Sequence, residues 1–169
     1  MVRLLTKKPN QAGFISGLGT GDMVFSFFSS VSYNLEGKGR WGSRFPRLLL
    51  DLCDHGIIEN EHLDEFQQEL KIILYELEKY PLSAAVYDIT DLSLPIPWEV
   101  IPGEENNNLA QPWVTPRNAI SYWEIFDRHI HFAKRYDSPI LLIFPTEEFY
   151  ETLWDRKNKG HDYWVKDKG

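Results

Sequence analysis

At 169 residues with 43% hydrophobic content, the chain can bury one sizeable core and is too short for two ordinary domains. Its single cysteine excludes an internal disulfide framework, and a net charge of −7 argues against nucleic acid as a partner, which demands a basic patch. The acidity is concentrated: residues 1–47 carry a net +5, residues 48–116 a net −12, and residues 117–169 none.

Within the acidic block, residues 81–116 hold five carboxylates and no basic residue, a field that attracts basic proteins. The start, MVRLLTKKPNQAG, lacks an apolar core of signal-peptide length, and the chain has no run of about 18 apolar residues. A cytoplasmic protein that does not enter the membrane is expected.

In chain order, residues 2–5 and 12–18 are strand candidates that can pair as a hairpin, with Gly13, Gly17, Gly19 and Gly21 weakening the pattern. Asp22 is placed to cap a helix through Val24, Phe27, Phe28, Val31 and Leu35, with Ser26, Ser29, Ser30 and Asn34 facing away. An aromatic-rich strand is the alternative, since Ser and Phe are not strong helix formers.

The stretch 37–56, GKGRWGSRFPRLLLDLCDHG, organises the chain. Gly37, Gly39 and Gly42 permit a tight turn that must bury Trp41 and Phe45. Ser43 can cap a short helix, Pro46 fits its first turn, and Gly56 ends it. The Gly-Lys-Gly is not a phosphate loop, because no Ser or Thr follows the lysine and no strand precedes it.

Residues 59–79 then read as an amphipathic helix, with Leu63, Phe66, Leu70, Ile73, Leu74 and Leu77 on one face and acids crowding its start. Pro81 stops it, and residues 83–89 read as a buried strand. Residues 90–116 carry five prolines and three consecutive asparagines, too long for a mere connector. Because Trp98 and Trp113 lie in it, an ordered, exposed excursion is expected.

Thr115-Pro116 reads as the start of a last helix with a stripe of Ile120, Trp123, Phe126, Ile130 and Ala133. Ser138-Pro139 breaks it, and 140–144, ILLIF, reads as a buried strand, so that 83–144 could form a parallel strand–helix–strand unit. Residues 146–157 suggest a short amphipathic helix before a terminal tail. The sum is one α+β domain: a small mixed sheet of three or four strands packed with four or five helices over 1–145, and an extension over 146–169.

No catalytic constellation emerges. Asp127 and His131 share a helix face at metal-ligand spacing, but His129 lies off it and no third ligand is near. Cys53 beside His55 could form a thiolate, yet no Cys/His signature surrounds them. Arg44 could pair with Asp88 as a structural contact. No metal or cofactor is implied.

The order FSFFSSVSYNLE over 25–36, then Gly39-Arg40-Trp41-Gly42-Ser43-Arg44-Phe45-Pro46, Glu69-Leu70, Tyr87-Asp88, Pro97-Trp98 and Ser138-Pro139-Ile140 resembles the immunity protein 70 family across 22–144. The resemblance implies a cytosolic antidote to a secreted or contact-delivered bacterial toxin. The charge pattern adds a basic partner, such as a nuclease. Trp98 with Glu99, and Glu104 with Glu105, are the expected contacts, supported by Asp91 and Trp113. If Trp98 and Trp113 instead cap the sheet edge, only the Asn-rich tip is exposed. The runners-up are a small hydrolase or transferase using Asp127, His131 or Cys53, and an adaptor unrelated to toxins.

Overall fold

The computed structural model describes residues 1–8, 11–38 and 40–144; Gly39, the 146–157 helix and the tail beyond it lie outside the described residues. Four strands form one sheet in the order β2–β1–β4–β3: β1 Val2–Lys8, β2 Gln11–Gly19, β3 Ile57–Ile58 and β4 Ile140–Ile143. Every pairing is antiparallel. The expected hairpin of β1 and β2 is present. Val2, Leu4 and Thr6 of β1 face the core, and the alternate residues face outward, as period-two burial requires. At Gly13 φ is +85° and a Cβ would lie 2.4 Å from the Thr6 carbonyl oxygen, so the irregular end of the hairpin needs glycine there.

Three α-helices stand on the inner side of the sheet: α1 Gly21–Leu35 and α3 Tyr122–Tyr136 pack on the strands, and α2 Leu63–Leu77 packs on those two helices. Phe27 of α1 is fully buried, and its ring meets those of Trp113, Tyr122, Trp123 and Phe126 at 5.4–6.0 Å. Aromatic pairs at such distances add to the effect of area burial alone. The aromatic run in α1 is therefore the hub of the core.

Four expectations need correction. First, α1 is capped by Thr20, whose hydroxyl accepts from the Met23 N–H at 3.3 Å, while Asp22 accepts from the Tyr87 hydroxyl. Second, the serines of α1 do not face solvent: Ser26, Ser29, Ser30 and Ser32 are buried.

Third, 83–89 is not a strand. A short 3-10 turn, Leu82–Ala84, leads into chain that docks on the α1 serines. The Val86 carbonyl accepts from Ser26 Oγ at 2.8 Å and Ser30 Oγ at 3.1 Å, and its N–H donates to Ser30 Oγ at 2.9 Å. Helix hydroxyls replace a strand partner, which satisfies the backbone without a ladder. Among the described residues there is no parallel pairing, and the sheet is antiparallel rather than mixed. Its fourth member is β3, too short to show a sequence period.

Fourth, α3 begins at Tyr122, capped by Ser121, whose Oγ accepts from Glu124 N–H at 3.2 Å. Thr115 closes a loop instead: its N–H donates to the Ile120 carbonyl at 2.9 Å and its hydroxyl accepts from Ile120 N–H at 3.0 Å. The long helix is likewise divided, into a 3-10 turn at Asn60–His62 and then α2.

Candidate functional site

The turn that joins α1 to the next helix is held by carboxylates. Glu36, almost fully buried, accepts from the N–H groups of Gly42 at 3.0 Å, Arg44 at 2.8 Å and Phe45 at 2.8 Å. Gly42 has φ +77°, and a Cβ there would sit 2.4 Å from Leu50 Cγ. Phe45 is buried as expected; Trp41 is half-buried against the core and donates from Nε1 to Asp54 at 2.9 Å.

Beyond Pro46 the chain forms a π-helix, Arg47–Asp54. Ser43 does not cap it. Glu69 of α2 does so from across the structure, accepting from Arg47 and Leu48 N–H at 3.0 Å each. Burial pushes the Glu69 carboxyl up to about 7, against the pull of those two N–H groups. Arg44 pairs with Glu76 at 2.7 Å, not with Asp88, which is buried and accepts from the Thr90 N–H and hydroxyl. These residues form a scaffold of hydrogen bonds and ion pairs.

The catalytic candidates do not converge. Asp127 and His131 form an exposed pair on α3, 3.5 Å apart. Cys53 is buried in the core, whereas its neighbour His55 is exposed. Among the described residues, no group of three or more His, Cys, Asp and Glu gathers as a metal ion requires. His129 is fully buried, with Nδ1 2.9 Å from Thr6 Oγ1 and Nε2 2.9 Å from Ser16 Oγ. Its ring stacks on Phe14 at 4.5 Å, and burial lowers its pKa to about 4. It joins α3 to β1 and β2.

The excursion 90–116 is ordered by its own contacts. Leu109 N–H donates to the Tyr80 carbonyl at 3.0 Å, and Pro81 bridges to Asn108. Trp113 is fully buried, donating from Nε1 to the Leu109 carbonyl at 2.7 Å, so it offers no surface of its own. It supports Trp98 from beneath, with ring centroids 5.6 Å apart. Trp98 is half-buried and lines the groove described below. Neither ring caps a sheet edge: Trp113 packs on Phe27 of α1 and Trp98 on Trp113, and the exposed part of the excursion extends well beyond its Asn-rich tip.

Between the excursion, the end of α2 and the start of α3 lies a groove of about 630 Å³. Trp98, Trp123, Met23 and Leu74 contribute apolar walls; Glu78, Glu99 and Glu104 are its ionisable lining residues, and no basic side chain lines it. Glu78, Glu99 and Glu104 are exposed and make no ion pair among the described residues. The acids of α2 differ. Asp64 pairs with Lys134 at 2.6 Å, Glu65 with Arg47 at 3.3 Å and Glu76 with Arg44 at 2.7 Å.

Of the other expected contacts, Glu105 turns back onto its own loop. Hydrogen bonds from its own N–H and that of Gly103 hold its carboxyl below the ordinary range. Asp91 is exposed and accepts from Ser93 N–H and Oγ. The groove thus brings Trp98, Glu99 and Glu104 together and adds Glu78, which no feature of the sequence singled out.

The sequence model of the immunity protein 70 family matches residues 10–142. The chain belongs to this family. It is therefore an immunity protein against a toxin, which points to a binding role rather than catalysis. No curated protein and no solved structure matches the chain significantly. The family match runs from β2 into β4 and takes in both the carboxylate-held turn and the acid-lined groove of this immunity protein. Among its described residues, no helix is long and apolar enough to cross a membrane.

Proposed function

We propose that this immunity protein binds one cognate secreted or contact-delivered bacterial toxin in the cytoplasm and neutralises it by covering a basic active site, most simply that of a nuclease. A nuclease needs positive charge where it holds phosphates. The observation that carries the proposal is a groove with three unpaired carboxylates and no basic lining residue, set in a chain whose other acids on α2 are largely matched. Trp98, Glu99 and Glu104 are the proposed contact, with Asp91 as a further exposed carboxylate of the excursion and Glu105 shaping the loop. Trp113 acts as the foundation of Trp98.

Half-buried indole faces ringed by charge are the usual anchors of protein interfaces. Opposite charge across such an interface speeds encounter and selects the partner. The test is co-expression with a candidate toxin domain, sought first in the gene next to the one that encodes this chain. Cells should survive only with the intact immunity protein, and the two proteins should purify together. Survival without any physical complex would overturn neutralisation by binding.

A further inference from the structure

We infer that the groove is a receptor for an arginine side chain presented on an exposed loop of the toxin. This rests on the immunity reading and adds the chemistry of the residue received.

The indole N–H groups are spent inside the protein: Trp98 Nε1 donates to Ser26 Oγ at 3.3 Å and Trp123 Nε1 to the Ala110 carbonyl at 2.8 Å. What Trp98 and Trp123 offer the groove is carbon surface and π density, with no donor for an anion. Leu74 extends that apolar surface. Around it the ionisable groups are Glu78, Glu99 and Glu104, with no lysine, arginine or histidine to neutralise them.

Asn107, Asn108, Gln111 and Ser121 add neutral polar groups to the lining, and the rings beside three unpaired carboxylates favour a ligand that joins an apolar or flat body to a positive head. An arginine side chain does so: its stem lies on apolar surface while its planar guanidinium stacks on an aromatic face and pairs bidentately with a carboxylate. Lysine supplies the charge without the plane, and it is more strongly hydrated. The volume, about 630 Å³, lies within the range of ligand pockets and leaves room for the backbone of a loop beside the arginine. Glu78 comes from the end of α2, and Glu99 and Glu104 from the excursion, so the charges approach the head from separate elements.

The test uses the full chain and a defined probe, the capped peptide acetyl-Gly-Arg-Gly-amide. Its citrulline counterpart keeps the shape and removes the charge, and its lysine counterpart keeps the charge and removes the plane. Binding is read from the NMR signals of the Trp98 and Trp123 indole N–H groups. The arginine peptide should shift both saturably. The citrulline peptide should bind at least tenfold more weakly, the lysine peptide severalfold more weakly, and Glu99→Gln with Glu104→Gln should weaken the arginine peptide at least tenfold. Those two residues are exposed, so an unchanged melting temperature should confirm the fold.

No saturable shift, or equal binding of arginine and citrulline, overturns the inference. Equal binding of arginine and lysine overturns the choice of guanidinium. Protection against the toxin is scored separately. Protection without peptide binding sinks only the arginine receptor, whereas peptide binding without protection sinks the immunity mechanism instead.

Discussion

Replacing Glu36 by Gln should destabilise the domain far more than the loss of one carboxylate elsewhere. The side chain is almost wholly buried, and its two oxygens accept three backbone N–H groups at 2.8–3.0 Å. A glutamine has one acceptor oxygen. If that oxygen keeps the Arg44 and Phe45 bonds, the amide –NH2 faces the Gly42 N–H, which loses its partner in a buried place. Bonds to a charged acceptor contribute about 1.5–3 kcal/mol each, and an orphaned buried donor costs about 1–3 kcal/mol. The expected loss is about 2–4 kcal/mol, a large share of the roughly 5–15 kcal/mol that holds a domain together. Urea unfolding at pH 7 measures it, with exposed Glu61→Gln as control. Glu36→Ala, which orphans all three donors, should cost more. A Glu36→Gln variant within about 0.5 kcal/mol of the parent would refute the claim that this carboxylate organises the turn.

Three further outcomes are expected. Phe45→Ala should cost about 3–5 kcal/mol, because the ring is buried at a packed core position, and an unchanged thermal melt would remove that claim. His129 and Glu69 should tilt stability in opposite directions with pH. His129, lowered to about 4 from 6.5, contributes stability that is full above pH 6.5 and is lost as pH falls towards 4; Glu69, raised to about 7 from 4.5, contributes stability that is full below pH 4.5 and is lost as pH rises through 7. The two offset each other between about pH 4.5 and 6.5, so Glu69→Gln should expose the His129 slope, about 1.4 kcal/mol per pH unit rising with pH, in urea melts across that window; a slope no steeper than the parent's would contradict the assignment. Association with the toxin should be fast at low salt and slow markedly as salt rises, and an on-rate indifferent to ionic strength would remove the electrostatic part of the account.

The parts of this fold that were legible in the sequence are those with a local cause. The hairpin, α1, the apolar face of α2 and the buried Phe45 follow from periodicity and turn residues. The misreadings have long-range causes. Residues 83–89 look like a strand, and only the Ser26 and Ser30 hydroxyls, some sixty residues away in sequence, show how the Val86 backbone is satisfied without one. Those same serines looked like a solvated face because hydroxyls are polar wherever they lie. Arg44 could be paired with any of several acids on paper, and Glu76 wins by the approach of α2 to the turn.

The candidate site was legible in part for the same reason. Trp98, Glu99 and Glu104 stand close together in the chain, so composition alone drew attention to them. Glu78 and Trp123 reach the groove from other elements and left no mark in sequence spacing. Trp113 resembles Trp98 in sequence context, and only the packing of Phe27 and the Leu109 carbonyl beneath the excursion separates a buried ring from a surface one.

The central claim, that the acid-lined groove is the face that meets the toxin, is tested most directly by reversing its charge. Glu99→Lys with Glu104→Lys should leave the melting temperature unchanged, because both side chains are exposed and make no ion pair among the described residues. Measured against the purified toxin domain, the affinity of this double variant should fall by an order of magnitude or more, and toxin-exposed cells that rely on it should lose protection. An affinity and a protection both equal to the parent's would contradict the account and move the toxin-binding surface elsewhere on the molecule.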